Sequence, residues 1–374
     1  MAREIAGEAT DRKGNSLFPS ARSGRYSRRG RVVNFELKKK KFYPVGVSLL
    51  PYLQEYGRLL QVPPIYEELH RFSQLFPLYD REGQDTLWKT AFYEPGIRKE
   101  LSRHLIQIYS LLKTNELRSR EHLVLERVDF CDFGNSRPFR IRIVNQFNDN
   151  YDHFYVKIAD ASRIYGLELE HVLSPNRINY LVNGNTLIEE HIAGVPGDVF
   201  IHQYFDRPET NRVRVAKEFV KFNERSFIRL LGDMRAYNYV VDITPDFEDA
   251  QYRVRAIDFD QQCYEGSKEM YLPQTFPENQ PVVELCTTRL NYLTMRQYQD
   301  EERTLIERRC QIAHNRLAAL WEPMCRDEIA PEEHVLRLRD GLNLYHETSA
   351  FAGCETMGQL VRMNLDVSLA KTNT

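Results

Sequence analysis

Residues 230–243 read LLGDMRAYNYVVDI, and residues 253–260 read RVRAIDFD. Both stretches are apolar enough for a protein core. Yet the first carries Asp233, Arg235 and Asn238, and the second climbs out of a strand-like run into Asp258 and Asp260. Charged and amide groups are costly to bury unless they are paired or bind something. Their place at the ends of apolar runs therefore calls for a chemical reason.

The surroundings supply the local structure. RVAKEFVKFNERSFIRLL (214–231) has a helical apolar period and runs directly into the first stretch. AYNYVVDI and YRVRAIDF then form a hairpin across the polar turn TPDFEDAQ. Upstream, LVLERVDF, FRIRIVNQF and HFYVKIAD alternate apolar and polar residues, separated by the turn-rich CDFGNSRP and NDNYD. A helix over SRIYGLELEHVLS follows, and INYLV and NTLIEEHI flank Asn183-Gly184, a strong hairpin signal. Three strands, one helix and two strands predict a five-stranded antiparallel sheet carrying a single helix.

The flanks differ in kind. Leu101, Leu105, Ile106, Ile108 and Leu112 recur at helical spacing, so the region 46–120 is expected to be a helical N-terminal module. Before it lies a Ser/Gly/Arg-rich arm, 1–45. Its first 41 residues hold 12 Lys/Arg against 4 acids, or +8, in a chain whose net charge is only -2. Such an arm suits an acidic partner or nucleic acid as well as plain solvent. From about 282 onward the pattern is helical, and no internal repeat is visible.

With 374 residues, 42% hydrophobic and 28% charged, the chain has the composition of a water-exposed globular protein with room for more than one domain. Six scattered cysteines without a C-x-x-C pair argue against a disulfide framework or a zinc finger. No run of 18 apolar residues spans a membrane, and MAREIAGEATDRKG has no apolar signal-peptide region. A cytoplasmic location is the expectation.

The chemistry now has a form. Phosphoryl transfer needs one carboxylate to accept or orient the attacking hydroxyl's proton. It also needs hard oxygen ligands to hold Mg²⁺ on the phosphates. Mg²⁺ keeps several waters, so two protein ligands suffice. Asp233-x-x-x-x-Asn238 followed, one hairpin later, by Ile257-Asp258-Phe259-Asp260 supplies a base and two ligands. A hairpin brings Asn238 and Asp258 to one end.

These motifs resemble the protein-kinase-like superfamily, and in style the aminoglycoside and choline phosphotransferase branch. That branch writes the loop His-Gly-Asp-x-x-x-x-Asn and the metal motif Ile-Asp-Phe/Trp-Asp/Glu; here stand Leu231-Gly232-Asp233 to Asn238 and Ile257-Asp258-Phe259-Asp260. The likeness covers roughly 125–262 by motif. It implies ATP or GTP as donor, Lys157 on the α/β-phosphates, and Glu168 or Glu170 orienting that lysine, with Glu168 preferred. It also implies a nucleotide hinge at Glu189, Glu190, His191 and Ile192, and a phosphate loop over DFGNSRP. That loop holds one glycine, Gly134, where the family has three, and Leu231 replaces the family's histidine. Pro277-Glu278 is similar to the end of a protein-kinase activation segment.

The expectation is thus an α+β, two-lobed kinase-like fold: an N-lobe over 121–193, a mainly helical C-lobe over 194–374, and the added N-terminal helical module. Its implied function is ATP- and Mg²⁺-dependent phosphorylation of a hydroxyl on a small molecule or protein. Asp233 is the base, Arg235 and Asp260 lie on the substrate side, Asn238 and Asp258 hold metal, and Lys157 holds phosphate. The alternative is a catalytically silent kinase-like module that binds nucleotide and partner proteins.

Overall fold

The structure, a computed structural model, describes residues 40–60, 63, 65–80, 82–114, 121–132, 136–247 and 249–370. The basic arm before residue 40 and Gly134 lie outside these residues. The described chain forms two compact units, one of 40–171 and 177–191, the other of 172–176 and 192–370.

The first unit is built on an antiparallel sheet of β1 (Gln74–Tyr79), β2 (Asp85–Phe92), β3 (Leu123–Phe130), β4 (Phe139–Asn145), β5 (Tyr151–Ile158), β6 (Tyr180–Asn183) and β7 (Thr186–Glu190). The strand order is β1-β2-β3-β4-β5-β7-β6. All five expected strands are present, but the sheet has seven strands. The correction comes from 74–92, which form two strands where a helical module is expected. There Asp80 turns the chain by accepting the N–H groups of Glu82 (3.0 Å) and Gln84 (2.7 Å), with Gly83 at φ +78°. Pro77 sits within β1, an edge position where a missing N–H breaks no interior ladder. That proline and a mostly exposed strand hide the alternation from sequence.

Alternation places Phe139, Ile141 and Ile143 on one face of β4 and Arg140 and Arg142 on the other. The apolar face meets Phe154 and Val156 of β5 and the helix α2 (Pro95–Thr114), whose Leu101, Leu105, Ile108 and Leu112 are buried in the same cluster. Each such side chain contributes roughly 1.5–3 kcal/mol of burial. The β6–β7 turn uses Gly184 at φ +59° in its first central position, where a II′ turn takes glycine.

Helix α3 (Ala161–Leu173) follows β5, with Asp160 accepting from the N–H groups of Ser162 (3.0 Å) and Arg163 (3.4 Å) as its N-cap. Its Glu168 is fully buried. The carboxylate accepts from Arg58 Nε (2.8 Å), Tyr52 Oη (2.5 Å) and Tyr180 Oη (2.8 Å). Tyr52 lies on the short helix α1 (Leu50–Glu55), and Arg58 on a segment that hydrogen-bonds along β6 through Val182. The N-terminal region is thereby pinned to α3 by a buried ion pair.

The second unit carries a small sheet, β8 (Val195–Pro196), β9 (Tyr239–Pro245) and β10 (Ala250–Ala256), in the order β10-β9-β8. A single turn, α4 (Gly197–Val199), runs into a π-helical turn at Phe200–Tyr204. The long helix α5 (Arg212–Ile228) is capped by Asn211 and packs on α6 (Gln280–Arg289), α7 (Tyr292–Ile312) and β10. Helices α8 (His314–Met324), α9 (Glu332–His346) and α10 (Met357–Ala370) complete it. Among the described residues, no helix is long and apolar enough to cross a membrane.

Removing one partner of a buried ion pair leaves an uncompensated charge, at a cost of about 3–5 kcal/mol. Arg58→Ala should therefore lower the first unit's stability in urea by that order. A loss within the range of ordinary surface changes, about 0.5 kcal/mol, would show that Glu168 does not depend on Arg58.

Candidate active site

The loop that opened the sequence reading is made by the way α5 ends. Leu231 N–H bonds Ser226 O (2.9 Å) and Leu230 N–H bonds Phe227 O (3.1 Å), the paired bonds of a Schellman stop. That stop puts Leu230 at φ +51°, where glycine is usual. Its side chain is wholly buried, so packing holds leucine in a strained place. Gly232 comes next, and a Cβ there would lie 2.9 Å from Gln261 O and 3.2 Å from the Tyr271 ring. Only glycine allows this approach, which is sealed by bonds from Gly232 N to Gln261 O (3.2 Å) and Asp233 N to Met270 O (2.9 Å).

Asp233 also lies in the left-handed region, at φ +58°. Arg235 Nε donates to its Oδ1 (2.9 Å), and Asn238 Nδ2 donates to its backbone oxygen (2.7 Å) and Oδ2 (3.2 Å). The Asn238 amide nitrogen thus faces Asp233, which turns the amide oxygen away from that carboxylate. Arg235 continues to Glu278 Oε1 (2.8 Å), with its guanidinium 4.9 Å from the centre of the Phe276 ring. Beneath them, buried Asn279 donates to Met234 O (2.9 Å) and accepts from Tyr239 Oη (2.9 Å).

The hairpin then closes the arrangement. Ala256 pairs with Tyr239, and Ile257 N–H bonds Asn238 O (3.0 Å). Asp258 therefore begins where Asn238 ends, and its Oδ1 accepts the Asp260 N–H (3.2 Å). Burial raises the Asp233 carboxyl above its ordinary range, and the nearby charges of Asp258 and Glu265 push the same way. The Arg235 bond opposes them without cancelling them. Among the described residues, no three His, Cys, Asp or Glu side chains converge as a metal cage.

In the first unit the expected residues are arranged differently from the sequence expectation. Lys157 donates to Glu189 Oε2 (2.7 Å), and neither Glu168 nor Glu170 bonds it. Glu168 is engaged by Arg58 and two tyrosines, and Glu170 is buried. In the proposed hinge, Glu190 spends its N–H on Asn179 O (3.1 Å) and its carboxylate on the Asn179 backbone N–H (2.7 Å). His191 Nδ1 lies 3.1 Å from Tyr155 Oη, and burial lowers the pKa of its ring. Ile192 is buried in the second unit.

No protein-family model and no curated protein matches the chain. The site therefore rests on its own geometry. Sequence reasoning missed Arg163, which falls in no motif, and read Glu189 as part of the hinge rather than as the partner of Lys157. It also missed the support from Glu278 and Asn279, for which the Pro277-Glu278 dipeptide was the one available signal.

A carboxyl whose folded pKa lies above its unfolded value favours folding at low pH. It forfeits that contribution as pH rises through the folded value. At neutral pH the ionised Asp233 is thus a net cost, and Asp233→Asn should raise the melting temperature at pH 7. The gain should vanish in acid, where both forms are neutral. Scanning calorimetry across pH checks this, and a lower melting temperature at pH 7 would contradict it.

Proposed function

We propose that this chain is an ATP-dependent phosphotransferase that phosphorylates a hydroxyl group. The observation that carries the reading is the convergence, at one end of the β9–β10 hairpin, of Asp233, Asn238 and Asp258. The first is a carboxylate made more basic than usual, and the others supply hard oxygens at the same end of the hairpin.

Asp233 accepts or orients the proton of the acceptor hydroxyl, a role favoured by a pKa moved toward neutrality. Arg235 holds that carboxylate in place and ties it to Glu278. An amide oxygen and a carboxylate fit Mg²⁺, which takes few protein ligands and keeps water on the rest of its octahedron. When bound, the ion neutralises charge on the transferring phosphate. In the same reading Lys157 takes phosphate oxygens, and the acceptor is a small molecule or a protein. The family resemblance supports this reading, as do the loop geometry and the raised Asp233 carboxyl.

One observation favours the second reading, a silent nucleotide-binding module: Lys157 pairs with Glu189 of its own sheet and not with a glutamate of α3, as the family resemblance implies. Turnover separates the two. With γ-labelled ATP and Mg²⁺, the wild type should move label onto itself or onto one member of a hydroxyl-bearing panel. Asp233→Asn should cut that rate by about 10²–10⁴-fold, the usual contribution of a positioned base, while keeping nucleotide affinity. Wild-type turnover in a well-folded Asp233→Asn variant would remove Asp233 from the chemistry.

A further inference from the structure

We propose that Glu189 and Arg163 are positioning residues for Lys157: the strand carboxylate aims the ammonium, and the guanidinium from α3 locks the carboxylate. What Lys157 then binds rests on the phosphotransferase reading.

The register of β5 and β7 makes the arrangement. Tyr155 lies opposite Glu189 and Lys157 opposite Leu187, so Lys157 and Glu189 are diagonal neighbours on one face. Arg163, in the first turn of α3, reaches the same carboxylate with Nε on Oε1 (2.5 Å) and Nη2 on Oε2 (2.9 Å). This bidentate grip fixes the carboxylate plane, as a single point charge could not. Side-chain exposure is 11% for Lys157, 7% for Glu189 and 1% for Arg163.

The charges keep the device ionised. Burial alone would raise the Glu189 carboxyl, but Arg163 and Lys157 outweigh it and hold it below the ordinary range. Lys157 makes no other side-chain hydrogen bond to a described residue, so two of its three N–H groups remain for an anion. A phosphate oxygen fits that need. The carboxylate is close enough to hold the ammonium but cannot satisfy all of it.

The test uses the full chain with two readouts. The first is the Lys157 ammonium resonance in NMR without nucleotide, assigned by its loss in Lys157→Met. The second is MgATP affinity by calorimetry, below the unfolding temperature of each variant. Glu189→Gln should shift or erase the resonance. It should also weaken MgATP by about 10–100-fold, by analogy with the loss of a partner that orients a metal ligand. Glu189→Asp and Arg163→Lys should retain part of both signals, and Glu168→Gln should leave the resonance in place. An unchanged resonance in Glu189→Gln, or unchanged MgATP affinity with only a lower melting temperature, would overturn the proposal. A wild type that binds no MgATP sinks the phosphotransferase reading instead. The resonance then still decides whether Glu189 or a helix glutamate aims Lys157.

Discussion

The register of the β9–β10 hairpin is the constraint on which the candidate site depends. With Ala256 opposite Tyr239 and the Ile257 N–H on Asn238 O, Asn238 and Asp258 come to the same end of the hairpin. A slip of one residue would turn the hairpin's buried side chains to the other face. The supporting contacts guard that register and the loop before it. Asn279 ties Met234 to Tyr239, Gly232 lets the loop lie against Gln261, and Gly197 lets α4 press on the Tyr239 ring, where a Cβ would clash at 2.2 Å.

These contacts hold a loop that is locally unfavourable. Leu230, Asp233 and Cys263 are non-glycine residues in the left-handed region, each costing of order 1–3 kcal/mol. Cys263 N–H bonds Leu230 O (2.9 Å), so two of the three belong to one hydrogen-bonded neighbourhood. Asp233 is moreover half-buried, in a setting that disfavours its charge. Strain and misplaced charge gathered in one loop are the pattern expected where stability has been traded for chemistry.

Much of this was legible in the sequence because period and spacing are local. The alternation of FRIRIVNQF places β4 correctly, and the helical stripe from Leu101 to Leu112 places α2. The span from Asn238 to Asp258 matches a hairpin with its polar ends together. What was hidden depends on distant chain. The β1–β2 hairpin is an edge with a proline and few buried residues, so its pattern is faint. The partner of Lys157 is set by the β5–β7 register and by the first turn of α3, neither of which a motif encodes. Glu168 looked available because Arg58 and Tyr52, more than 100 residues earlier, gave no sign of reaching it.

Calorimetric titration of ATP with and without Mg²⁺, in the wild type and in Asp258→Ala, tests the centre of this picture most directly. If Asn238 and Asp258 hold the metal on the nucleotide, Mg²⁺ should tighten ATP binding to the wild type. That gain should be lost in Asp258→Ala, since one neutral amide cannot balance a divalent ion. Equal ATP affinity with and without Mg²⁺ in the wild type would contradict it.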